Sequence, residues 1–100
     1  MKQLPVACSL DARELAQRQA DLRDGILARA ISIETLPDGL RWRFSESDGL
    51  LSALGAVMDA ERRCCRFLHF ALTAEPDLGV VTLDVTGPDG TREALAAWME

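Results

Sequence analysis

Leucine, valine and methionine recur at helical spacing from Leu50 through Leu54, Val57 and Met58, a stripe that only a helix laid on a core satisfies. Continued, the same face carries Glu61, then Cys64 and Cys65, then Leu68. A carboxyl group and two thiols therefore stand where plain core side chains are due. Burying an unpaired carboxylate costs roughly several kcal/mol, so Glu61 must have a partner, be protonated or sit at the rim of the core. The stretch from Asp59 to Phe70 also holds Arg62, Arg63 and Arg66, the phenylalanines Phe67 and Phe70, and the only histidine, His69.

The chain around this helix reads as alternating strands and helices. Leu4, Val6 and Cys8 share one face of a first strand, and Pro5 suits its start or an edge. Ser9 or Asp11 caps a helix, with Asp11 and Glu14 at capping-box spacing. Leu15, Leu22 and Ile26, filled in by Ala12, Ala16 and Ala30, give that helix an apolar stripe to about Arg29.

Ile31-Ser32-Ile33-Glu34 alternates as a second strand, and Leu36-Pro37-Asp38-Gly39 turns the chain, with glycine free to take positive φ. Leu40, Trp42 and Phe44 then alternate with Arg41 and Arg43, which closes a hairpin. Ser47 is the expected N-cap of the central helix. Phe70, Leu72 and Ala74 alternate as a fourth strand, and Val81, Leu83 and Val85 as a fifth. Thr91 caps a short closing helix with Ala94, Leu95 and Trp98 inward.

The order β-α-β-β-α-β-β-α predicts an α+β two-layer sandwich over a single domain of residues 1–100. It has an antiparallel sheet of about five strands, with helices mainly on one face. It contains a ferredoxin-like βαββαβ core plus an extra strand and a C-terminal helix. Right-handed crossovers would bring the end of the first strand, at Cys8, to the same edge of the sandwich as the end of the central helix, at Cys64 and Cys65.

Composition narrows the function. A chain 48% hydrophobic and 27% charged is ordinary for a globular protein and too apolar for disorder. A net charge of −5 without a basic run argues against direct nucleic-acid binding. No stretch approaches the ~20 apolar residues of a membrane span. Without a signal-like hydrophobic region at the start, a cytoplasmic setting is expected, where cysteines are thiols or metal ligands. Phosphate loops, dinucleotide fingerprints and nucleophile elbows are missing, which leans away from an enzyme.

Three thiolates at Cys8, Cys64 and Cys65 would hold a soft ion such as Hg(II), As(III), Cu(I) or Zn(II). Glu61, His69, Arg62 and Arg66 stand close enough in sequence to assist. Cys8, before a helix N-terminus, is the better nucleophile; the vicinal pair, at a helix C-terminus, is the better chelator. Each residue also has a plainer reading. The cysteines serve equally as small core hydrophobes. His69 is an ordinary strand-boundary residue, and Glu61 pairs with Arg41, Arg43 or the helix-borne arginines. Trp42 and Trp98 are core.

The alternatives to metal binding are two. One is a non-catalytic interaction domain that pairs with a second copy or a regulator protein through uncovered sheet edges and the apolar strand Val80-Val81-Thr82-Leu83. The other is a thiol redox enzyme or sensor using a Cys8 bridge to Cys64 or Cys65.

Three segments carry a resemblance to known proteins: Ala7-Cys8-Ser9-Leu10, Glu61-x-x-Cys64-Cys65-x-Phe67-Leu68-x-Phe70, and Thr86-Gly87-Pro88. Together they resemble a group of small bacterial domains associated with heavy-metal resistance, which stand alone or are attached to regulators of the mercury-responsive (MerR) type. The resemblance implies binding of a toxic soft metal at Cys8, Cys64 and Cys65. A DNA-binding helix-turn-helix segment is absent from the sequence, so regulation would require a partner chain.

Overall fold

The computed structural model describes residues 12–96. Its elements are α1 (Ala12–Asp24), a 3-10 turn (Ile26–Arg29), β1 (Ser32–Leu36), β2 (Gly39–Ser45), α2 (Leu50–Cys64), β3 (His69–Glu75), β4 (Val80–Thr86) and α3 (Thr91–Leu95), with a second 3-10 turn (Pro76–Leu78) between β3 and β4. The protein is α+β, with four antiparallel strands in the order β1-β2-β4-β3. The strand expected at residues 4–8 and Trp98 lie outside the described residues.

β2 and β4 are interior, each with a neighbour on both sides. This corrects the expectation that Val80-Val81-Thr82-Leu83 is a pairing edge: β4 is sandwiched between β2 and β3, with Val81 and Leu83 buried. It also leaves a further strand only the outer edges of β1 and β3. The described order is by itself not a ferredoxin-like core, whose first strand lies inside the sheet.

Period-two alternation sorts the sheet into two faces. Leu40, Trp42 and Phe44 of β2 and Val81, Leu83 and Val85 of β4 are buried with Leu22 of α1, Leu27, Leu50 and Leu54 of α2, and Leu95 of α3 in one core cluster. The opposite face carries Arg41, Arg43, Glu34 and Asp84. There Arg41 donates two hydrogen bonds to Asp84, at 2.7 and 2.8 Å, and lies 3.6 Å from Glu34, which also accepts from Arg43 at 2.9 Å. The paired Asp84 carboxylate raises the Arg41 pKa, so that guanidinium stays charged.

Several element boundaries depart from the sequence reading. The first helix stops at Asp24 rather than Arg29, because Gly25 takes a backbone conformation outside the helical region and the chain tightens into a 3-10 turn. Leu22 of its stripe is buried, and Ile26 and Ala30 pack partly against the core. Gly49 (φ 81°) rather than Ser47 is the N-cap of α2, and Gly90 (φ 96°) rather than Thr91 that of α3. Both caps are left-handed, where glycine has no Cβ to clash. Thr91 is instead a buried first-turn residue whose hydroxyl donates to the Pro88 carbonyl at 2.6 Å.

Candidate functional site at the end of the central helix

The stripe of α2 runs as its spacing requires, with Leu50 and Leu54 buried and Val57 and Met58 packed against the core. Glu61 is carried into the same interior and is only 2% exposed. Such burial is affordable for a carboxyl group only with partners, and Glu61 is engaged rather than orphaned. One turn further, Cys65 closes the helix. Its amide donates to the Glu61 carbonyl at 2.8 Å, and its side chain is 5% exposed. Cys64 is the last residue of α2.

The backbone after the helix is pinned. Leu68 N–H donates to the Cys65 carbonyl at 3.1 Å, turning the chain into β3. Gly87, just past β4, lies so close that a side-chain Cβ there would stand 3.1 Å from the Phe67 carbonyl oxygen and 2.5 Å from Thr91 Oγ1. Gly87 N–H in turn donates to Asp38 O at 3.0 Å. The end of α2, the β1–β2 turn and the start of α3 thus meet at one end of the sheet. This contact depends on the Thr86-Gly87-Pro88 segment and its lack of a side chain at the centre.

Beside Glu61, α1, the 3-10 turn after it and α2 line an open cavity of about 340 Å³ bordered by Asp21, Leu22, Ile26, Ala56, Val57, Ala60 and Glu61. Its walls are mostly apolar, with two acidic residues and no basic one.

The other expected participants lie elsewhere. His69 is exposed and opens β3 opposite Thr86. In that register it shares a face with Ala71 and Asp84, the polar side of the sheet, whereas Glu61 and Cys65 are on the helix side. Arg62 and Arg63 are both exposed and reach back to Asp59, Arg62 at 2.9 Å and Arg63 at 2.9 Å. Those two hydrogen bonds, Arg62 first, hold the Asp59 carboxyl below its ordinary pKa. Arg66 is exposed. Arg41 and Arg43, the other suggested partners of Glu61, are engaged with Asp84 and Glu34 across the sheet.

The Asp59 clasp is a feature the sequence reading missed, although its spacing of three and four residues was the signal. It matters to the site because it draws two positive charges to the solvent side. Cys65 itself caps the C-terminal end of α2, the negative end of the helix dipole, which disfavours a bare thiolate. Cys8 lies outside the described residues. Among the described residues no three of histidine, cysteine, aspartate and glutamate converge as a ligand set.

No family model, curated protein or solved structure matches the chain.

Proposed function

We propose that the protein binds a soft metal or metalloid ion at the end of α2 through Cys8, Cys64 and Cys65, with Glu61 as a base or hydrogen-bond acceptor that assists thiol deprotonation. The observation that carries this reading is the pairing of a buried carboxyl group with a buried thiol one turn apart on the core stripe of α2. Core packing alone has no use for that carboxyl, and its burial is expensive. A cation at the C-terminal end of α2 offsets the helix dipole, and thiolates select Hg(II), As(III) or Cu(I) over hard ions. Zn(II), which prefers four ligands, is the weaker fit.

The reading needs Cys8 to arrive from residues 4–8. His69, Arg62 and Arg66 are not needed as supports. A chain with net charge −5 and no basic run would pass a metal signal on through a partner protein rather than through DNA contact.

Titrating the reduced protein with Hg(II), As(III), Cu(I) and Zn(II), while following thiolate-to-metal absorption and free thiols, tests this directly. One equivalent of Hg(II) is expected to protect three thiols. Both Cys8→Ala and the Cys64→Ala/Cys65→Ala pair should weaken binding, and Glu61→Gln should do so by about 10–100-fold. Thiols that stay fully titratable in the presence of metal, with wild type and variants alike, would refute the site and leave the cysteines as packing.

A further inference from the structure

We infer that the Asp48-Gly49 step is a modification site, at which the folded chain rearranges spontaneously to isoaspartate through a cyclic imide. The sequence holds four Asp-Gly steps, at 24–25, 38–39, 48–49 and 89–90. Glycine puts no Cβ beside the backbone nitrogen, so at such a step that nitrogen can approach the side-chain carboxyl carbon of the aspartate before it. Ring closure in a folded chain asks for more: a carboxyl group free to turn, an N–H not spent in a hydrogen bond, and space for the ring.

The fold closes off three of the four steps. Asp24 is already engaged, and Gly25 backs onto Asp21, whose carbonyl oxygen would stand 2.6 Å from a Cβ there. Gly39 is buried against the Val85 carbonyl of β4, and the Asp38 carbonyl accepts the Gly87 N–H at 3.0 Å. Asp89 and Gly90 are exposed, but they form the centre of the turn 88–91, which is tied twice. Both the N–H of Thr91, at 3.0 Å, and its hydroxyl, at 2.6 Å, donate to the Pro88 carbonyl, and Thr91 is itself buried.

Asp48-Gly49 is open on every count. Both residues are exposed, in the connection between β2 and α2. Among the described residues the Asp48 side chain has no hydrogen-bond or ion-pair partner, and the Gly49 N–H donates to no backbone group. A Cβ at Gly49 would meet nothing within 4 Å, so the ring has room. A single bond closes the turn 47–50, from Leu50 N–H to the Ser47 carbonyl at 3.2 Å. Gly49, at φ 81° and ψ −5°, takes the third position of a type II turn.

Water is the only other reactant. The Gly49 nitrogen attacks the Asp48 side-chain carboxyl carbon and a C–N bond forms. The carboxyl hydroxyl leaves with the amide proton as water, which closes the imide. Water then adds back and opens the ring. Opening at the main-chain carbonyl routes the backbone through the Asp48 side chain, with no net change in mass. The result is one extra methylene in the backbone and a free carboxylate where the peptide carbonyl was. That insertion falls two residues before Leu50, whose buried side chain begins the core stripe of α2, so the modified chain holds the start of that helix less firmly.

Incubating the folded protein for several weeks at neutral pH tests the inference. Isoaspartate is read by methyl transfer from an isoaspartyl carboxyl methyltransferase and located by electron-transfer fragmentation of tryptic peptides. The four steps fall in separate peptides, residues 24–29, 30–41, 44–62 and 67–92, so each is scored on its own. Isoaspartate should accumulate first at Asp48, and that signal should be lost in Asp48→Glu, whose longer side chain closes a ring far more slowly. In the urea-unfolded chain, where the fold no longer selects, all four steps should convert together. Accumulation led by another step in the folded protein would overturn the inference. So would the same pattern in the folded and unfolded chains, or an Asp48 that stays unmodified.

Discussion

Gly39→Ala is expected to destabilise the protein by about 3 kcal/mol or more, a large loss for the loss of no contact at all. The reason is a close approach of backbone to backbone. A Cβ at position 39 would stand 1.9 Å from the Val85 carbonyl oxygen and 2.8 Å from the Thr86 Cα. Neither atom is the movable end of a side chain, and both belong to β4, the strand that β2 must pair with along its whole length. Relief would require β2 and β4 to separate where the hairpin turn begins, breaking ladder bonds in the interior of the sheet. Urea denaturation measures the effect as a fall in midpoint. A midpoint within error of wild type would mean that the two strands do not meet at Gly39 as described.

The second large effect is Trp42→Ala, expected to cost about 3–5 kcal/mol. Trp42 is 0% exposed and sits on an interior strand, flanked by Ile33 on β1 and Leu83 on β4, beneath the three helices of the core cluster. Truncation removes the largest buried side chain among the described residues, and a cavity of that size under a sheet collapses only in part. Domains of this size hold a total stability of roughly 5–15 kcal/mol, so the variant should be near its unfolding limit at room temperature. Ile33→Ala, at a half-open edge, should cost far less. Equal losses from Trp42→Ala and Ile33→Ala would contradict the placement of the core.

These two positions show what a sequence of this kind makes legible. Trp42 was readable because β2 alternates strictly, and a half-buried antiparallel strand must put Leu40, Trp42 and Phe44 on one side. Gly39 was readable as a turn residue, but for the wrong reason. Its φ is not positive, and what glycine supplies there is clearance for β4, a partner forty-odd residues away that local pattern cannot reveal. The same long-range blindness made Val80–Leu83 look like a free apolar edge. Its buried Val81, Leu83 and Val85 alternate with half-buried residues, a pattern that tells which face meets the core but not which edges are paired.

At the candidate site, helical spacing correctly carried Glu61 and Cys65 into the interior, because the i to i+4 period is a local property. It could not tell which arginines serve them. The Asp59 clasp on Arg62 and Arg63, and the cross-strand pairs of Arg41 and Arg43, absorb the cations that sequence proximity offered to Glu61. His69 was misplaced for a related reason: one residue of strand register decides which face of the sheet a side chain takes, and His69 falls on the polar one.

The central claim is that three sulfurs from distant parts of the chain meet at one ion. X-ray absorption at the mercury edge, on protein loaded with one equivalent of Hg(II), reads the sulfur count directly. The account predicts a shell of three sulfurs that falls to two in Cys8→Ala. A two-sulfur shell in the wild type, unchanged by Cys8→Ala, would contradict it, because Cys8 would then have no part in the site.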